Sequence, residues 1–159
     1  MPRGKQAPKR AATPDPKYSS ELVTKFINYV MLDGKKSVAQ SIVYGAMEYV
    51  ADKKKGDALK LFEQAIETVK PQVEVRSRRV GGANYQVPMP VPGHRQNGLA
   101  FRWIIAASKS RKGRDMQDRL GLEMMDILEG VGGAMKKKED IHRMAEANKA
   151  FAHFARFRR

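Results

Sequence analysis

The residues that could do metal chemistry are three carboxylates near the end of the chain. Glu123, Asp126 and Glu129 are spaced by three residues, and clustered acids can hold the divalent ion of a metal-dependent nuclease. A step of three along a helix is also the ordinary spacing of its polar face. We favour the polar face, and the nuclease remains the alternative from another class of protein.

No other residue pattern predicts a catalytic, metal or cofactor site. The chain has no cysteine, which excludes disulfides, thiolate metal sites and cysteine nucleophiles. Its three histidines are not spaced as metal ligands, and Gly34-Lys35-Lys36 lacks the preceding glycine and strand of a phosphate-binding loop. We therefore predict a protein that is not an enzyme, has no cofactor and takes no small-molecule substrate.

The positive charge of the chain is large and unevenly placed. There are 31 Lys and Arg against 17 Asp and Glu, a net charge of +14. Residues 75–114 hold 9 basic side chains and no acid, whereas residues 21–74 are balanced at 8 and 8. Residues 115–146 carry a net −3, and residues 1–20 and 147–159 carry +4 each. Such concentration predicts a surface that binds a polyanion.

The elements that must position these charges follow from hydrophobic periodicity. Six segments have helical spacing, with expected starts near Ser19 or Ser20, Ser37, Asp57, Gly93, Asp115 and Ala134. Between the third and fourth helices the period changes to alternation, over 73–90 around Gly81-Gly82, which predicts a β-hairpin. Prolines in its second strand exclude a larger sheet, and a two-stranded ribbon is marginal in water. We expect it to protrude and to be steadied by what it binds.

The predicted fold is mainly α: a six-helix bundle with a protruding two-stranded β-hairpin arm between helices three and four, plus basic terminal arms. Residues 1–18 are a basic, proline-rich arm that should be disordered in isolation. Residues 19–149 form a single helical RNA-binding domain, and residues 150–159 form a basic, aromatic tail. The longest apolar stretch, 99–107, is too short to span a bilayer, and the first residues are no signal peptide, so no membrane association is expected.

The fourth helix is the most persuasive nucleic-acid element. Arg95, Arg102 and Lys109 are spaced by seven and line one edge, while Phe101 and Ile104 fall on the opposite side. A basic loop over 109–114 and the arginines of the first hairpin strand extend this surface. The phenylalanines of the tail could stack on bases, or could dock on a partner protein. Phosphate contacts alone do not distinguish RNA from DNA, so a DNA-architectural protein is a second alternative.

Three stretches of the chain resemble one family. The first is Phe26-Ile27 followed by Gly34-Lys35-Lys36 and Ile42-Val43. The second is the string VEVRSRRVGGANYQVP at 73–88. The third runs from Arg95-Gln96 through RWII at 102–105 to Lys109-Ser110-Arg111. Over nearly the whole chain, these stretches resemble the universal small-subunit ribosomal protein seven family in its bacterial form.

The resemblance implies a cytoplasmic structural constituent of the small ribosomal subunit. It implies primary binding to the 3′ major domain of 16S rRNA, nucleation of head assembly, and contact with small-subunit ribosomal proteins nine and eleven. The hairpin tip would lie near the exit-site tRNA and the mRNA, through Gly81, Gly82, Ala83, Asn84 and Tyr85. We predict rRNA binding at sixteen basic residues: Arg3, Lys5, Lys9, Arg10, Lys35, Lys36, Arg76, Arg78, Arg79, Arg95, Arg102, Lys109, Arg111, Lys112, Arg114 and Arg119.

Overall fold

The computed structural model of the chain describes Gly4 and residues 12–156. The predicted contacts at Arg3, Lys5, Lys9 and Arg10 lie outside the described residues, as does the end of the tail. The described elements are α1 (Glu21–Val30), α2 (Lys36–Lys54), α3 (Ala58–Val69), β1 (Val73–Val80), β2 (Ala83–Pro90), α4 (Gly93–Ser110), α5 (Met116–Leu128), α6 (Gly133–Ala147) and a C-terminal 3-10 helix (Lys149–Arg156). The mainly helical fold with a hairpin between α3 and α4 is confirmed. No helix in this described part is long and apolar enough to cross a bilayer.

The predicted helix starts differ in how they are capped. Asp57 caps α3 as predicted, because its carboxylate accepts a hydrogen bond from the backbone N–H of Leu59 at 2.9 Å. Ser37 does not cap α2, which begins one residue earlier, at Lys36. The preceding turn at Asp33-Gly34 has two consecutive residues with positive φ, 51° and 73°, and reverses the chain direction between α1 and α2.

The core is aromatic where α1, α3 and α4 meet. Phe26 lies edge-on to Phe62 and to Phe101, with ring centroids 5.3 and 5.2 Å apart. Edge-to-face packing suits the ring quadrupoles and fixes the three helices relative to one another. The buried side of α5 closes the bundle with Leu120, Met124 and Ile127. The apolar side of α4 is thereby held in the core, and its opposite side faces outward.

The β-hairpin has the predicted bounds and turn. Its strands pair antiparallel from Val73 opposite Pro90 to Val80 opposite Ala83. Gly81 and Gly82 both have positive φ, 58° and 91°, which a two-residue primed turn requires and glycine adopts without strain. Residues Glu74, Arg76 and Arg78 share one face with their partners on β2.

The hairpin is supported by its own chain. Tyr85 of β2 packs against Phe151 and Phe154 of the 3-10 helix, with both centroid distances 5.2 Å. Val87 in the same strand is fully buried. The 3-10 helix was not predicted, and it covers one face of a ribbon that alone would be marginal. The sequence left two roles open for the tail aromatics, stacking on bases or docking on a partner protein. Phe151 and Phe154 instead pack against Tyr85 of this chain.

Candidate RNA-binding surface

The outer side of α4 presents the predicted row of cations. Arg102 and Lys109 are exposed and Arg95 is half-buried. On the opposite side Phe101 and Ile104 are buried, because the helical period separates the two sets. The predicted division of this helix into a core side and a charged side is confirmed.

Glu74 at the base of the hairpin holds two of the predicted arginines. Its carboxylate is only 8% exposed, and it accepts hydrogen bonds from Nε of Arg95 at 2.9 and 3.1 Å. It also accepts from Nε of Arg76 at 2.6 Å. One carboxylate between two guanidinium groups leaves a local charge of +1. The two hydrogen bonds from Arg95 fix the hairpin base against α4. Arg76 and Arg95 therefore have a structural task, whether or not they also contact a bound partner.

Arg78 and Arg79 point to opposite faces of β1. Arg78 lies on the face toward the 3-10 helix, where its Nη1 donates to the backbone carbonyl of Phe154 at 3.4 Å. Arg79 lies on the other face and is exposed. Neighbouring residues on a strand alternate in direction, so only one of the two can join a given surface.

Arg111 begins the loop between α4 and α5 and binds two carboxylates. Its Nε and Nη2 donate to Oε2 of Glu123 at 2.9 and 2.7 Å, and Nη2 also contacts Asp126. Partial burial alone would lower the pKa of Arg111, but the hydrogen bonds that it donates to Asp126 and then to Glu123 outweigh burial and raise that pKa. This arginine ties the loop to α5, and its charge is offset within the chain.

The same contacts account for the carboxylate row, which consists of Glu123, Asp126 and Glu129. Glu123 is 1% exposed and also accepts the backbone N–H of Ala134 at 2.9 Å, at the start of α6. Glu129 pairs with Lys54 at 2.7 Å. Each of the three acids therefore binds a cation of the protein, and the described residues contain no group of three His, Asp or Glu suited to a metal. This geometry does not support the nuclease alternative.

Arg119 is a further predicted residue with a structural task. Its Nη1 donates to the carbonyl of Arg111 at 3.1 Å and to that of Lys109 at 3.5 Å. These carbonyls lie at the end of α4, where helical acceptors have no partner of their own. Arg119 thus supplies a donor to two carbonyls at the α4 terminus.

The remaining predicted cations are exposed, and no described carboxylate pairs with them. They lie at the start of α2, on β1, on α4 and in the α4–α5 loop: Lys35, Lys36, Arg79, Arg102, Lys109, Lys112 and Arg114. We call these seven the free cations. At the hairpin tip Gly81, Gly82, Ala83 and Asn84 are exposed, whereas Tyr85 is half-buried under the 3-10 helix.

The root of the N-terminal arm is a site that sequence reasoning missed. Asp15 is 3% exposed, accepts the hydroxyl of Tyr44 at 2.7 Å, and accepts the backbone N–H groups of Lys17 and Tyr18, both at 3.1 Å. Burial, followed by this hydrogen bond to Asp15, raises the pKa of Tyr44 to about 12. A lone acid in a basic, proline-rich segment was the one available signal. Asp15 is thereby fixed against α2.

The described part of the chain is mainly helical, with exposed cations along the acid-free segment 75–114 and three carboxylates that serve structure. That combination defines a structural protein that binds a polyanion. Comparison with known proteins is specific: the model of the family "Ribosomal protein S7p/S5e" matches residues 2–149. The chain belongs to this family, and it is a non-enzymatic structural constituent of the small ribosomal subunit in the cytoplasm, binding rRNA and other ribosomal proteins.

Two relatives show how far the similarity extends. The small ribosomal subunit protein uS7 of Dictyoglomus thermophilum is 56% identical over 154 residues, which cover 97% of this chain and 99% of that protein. The uS7 protein of Chromohalobacter salexigens is 54% identical over the same coverage. The resemblance read from the three stretches is thereby confirmed.

Proposed function

We propose that this chain is a primary binder of the 3′ major domain of 16S rRNA and nucleates assembly of the subunit head. The observation that carries the proposal is the set of free cations on the acid-free segment. Five of the seven lie between Arg79 and Arg114, on one strand, one helix and one loop. Exposed surfaces normally mix both signs of charge, and a surface with one sign favours a polyanionic partner.

The hairpin tip supports a second contact. Its four exposed residues, 81–84, are small or uncharged, and two of them are glycines. Small residues permit close approach of the backbone to a nucleic acid. We place this tip beside the exit-site tRNA and the mRNA, and small-subunit ribosomal proteins nine and eleven among the protein neighbours, as the family resemblance implies.

The test is a competition assay with the whole chain. Labelled 3′-domain rRNA is bound at fixed salt and challenged with unlabelled unrelated structured RNA and with duplex DNA. The proposal expects the complex to survive a large excess of both competitors. If both competitors displace the labelled RNA as readily as unlabelled 3′-domain rRNA does, specific rRNA recognition is refuted. Competition by duplex DNA alone would favour the DNA-architectural alternative.

The free cations are tested by charge removal. A triple variant Lys109→Gln, Lys112→Gln, Arg114→Gln should weaken binding and lower the slope of log affinity against log salt by about two to three. The matched control removes three exposed lysines elsewhere, by Lys60→Gln, Lys136→Gln and Lys137→Gln, and should leave the slope nearly unchanged. Equal slopes for the two triple variants would mean that net charge, and not this surface, drives binding.

A further inference from the structure

Tyr29 is an exposed aromatic residue beside the charged side of α4. It lies near the end of α1 with 44% of its surface exposed, and its ring contacts Phe101 edge-on, with centroids 5.4 Å apart. Its hydroxyl makes no hydrogen bond within the described part of the chain. The ring is therefore fixed by packing while the hydroxyl remains available for an external partner.

The position of this hydroxyl depends on a glycine. A Cβ atom at Gly98 would lie 2.8 Å from Oη of Tyr29, closer than side chains tolerate, and 3.7 Å from Nη2 of Arg102. The absence of a side chain at Gly98 thus lets a phenol hydroxyl and a guanidinium flank the same point on α4. Gly98 lies inside an 18-residue helix, where glycine is less favourable than alanine.

Arg102 is held in the right place for a shared ligand. Its Nε donates to the carbonyl of Gly98 at 3.0 Å, and its Nη2 lies 3.7 Å from the point where a Cβ atom of residue 98 would stand. Arg102 is one of the free cations. A guanidinium with an adjacent hydroxyl donor suits the oxygens of a phosphate, which accepts several hydrogen bonds at once.

We infer that Tyr29, Gly98 and Arg102 form a subsite for one phosphodiester of the bound RNA. Arg102 supplies the charge, the Tyr29 hydroxyl donates to a second oxygen of the same phosphate, and Gly98 provides the space. This inference rests on the proposed rRNA binding and adds a residue from α1 to a surface otherwise assigned by charge. An uncharged tyrosine gives no signal in a charge map, so sequence reasoning did not find it.

The test is a double-mutant cycle measured by binding to 3′-domain rRNA. Tyr29→Phe removes only the hydroxyl and should weaken binding about three- to tenfold, the effect of one hydrogen bond. Gly98→Ala should weaken binding similarly, because the new methyl displaces the hydroxyl. In the Tyr29→Phe background the next ring atom, Cζ, lies 3.6 Å from that methyl, an ordinary contact. In the Tyr29→Phe background, Gly98→Ala should therefore lower the binding affinity less than twofold.

Salt dependence and a matched tyrosine separate a phosphate contact from a packing effect. Arg102→Gln should lower the salt slope by about one, whereas Tyr29→Phe should leave it unchanged because it removes no charge. Tyr49→Phe, on the α2 surface against α5, is the control and should bind like the wild type. Thermal unfolding confirms that each variant is folded.

The outcomes are distinguishable from failure of the proposed function. If the wild-type chain prefers cognate rRNA but Tyr29→Phe binds equally well, only the subsite is refuted. The same holds if Gly98→Ala weakens binding equally in both backgrounds. If the wild-type chain shows no preference for 3′-domain rRNA, the proposed function fails and the subsite with it.

Discussion

Replacing the buried Glu123 tests whether the carboxylate row serves structure. The Glu123→Ala change removes the acceptor for two N–H groups of Arg111 and for the backbone N–H of the buried Ala134. A buried amide left without an acceptor costs about 1–3 kcal/mol. The guanidinium of Arg111 keeps its ion pair with Asp126 and is partly exposed. Loss of its ion pair with Glu123 therefore adds only about 1 kcal/mol.

The expected destabilisation is therefore about 3 kcal/mol in total. In a chain of this size, 1 kcal/mol corresponds to about 2–4 °C in Tm, so Glu123→Ala should lower Tm by about 6–12 °C. Glu123→Gln keeps an oxygen for Ala134 but loses the charge, and should lie between the wild type and the alanine variant. Urea unfolding and thermal unfolding by circular dichroism measure both changes.

Glu129→Ala is the matched control, at the C-terminal end of the same helix. Its ion pair with Lys54 is exposed, and exposed pairs contribute about 0–1 kcal/mol. Equal Tm shifts for Glu123→Ala and Glu129→Ala would refute the structural reading of Glu123. So would stabilisation of the wild-type chain by magnesium that Glu123→Ala abolishes, because that result would identify a metal site in the carboxylate row.

Two further predictions concern the supports of the terminal segments. Tyr44→Phe should destabilise the fold by about 1–2 kcal/mol by leaving Asp15 without its hydroxyl partner, with Tyr49→Phe as the neutral control. Because the pKa of Tyr44 is raised to about 12, the folded chain retains its proton where the unfolded chain, near pH 10, loses it. Stability should thus fall as pH rises between these values, and less so in Tyr44→Phe; identical pH profiles would contradict this. Phe154→Ala should reduce hydrogen-exchange protection of β2 amides while leaving α5 protected, and unchanged β2 protection would show that the 3-10 helix does not support the hairpin.

The periodic features of this protein could be predicted from its sequence. The apolar stripe and basic edge of α4 follow from the 3.6-residue period, which separates Phe101 from Arg102 and Lys109 without tertiary information. The Gly81-Gly82 turn and the Asp57 cap depend on neighbouring residues alone. The family resemblance is visible in the sequence because two of its three stretches lie in these local elements, the hairpin and α4.

Only the tertiary structure decided which arginines are free. Arg95 and Glu74 are separated by 21 residues, Arg111 and Glu123 by 12, and Arg78 and Phe154 by 76. Whether such pairs meet depends on how helices and strands pack, and side-chain spacing within one element does not encode that. The same holds for Tyr29 over Gly98, where a missing side chain on one helix creates the space for a hydroxyl from another. Charge composition therefore predicted a polyanion-binding surface, and packing divided its cations between structural ion pairs and exposed side chains.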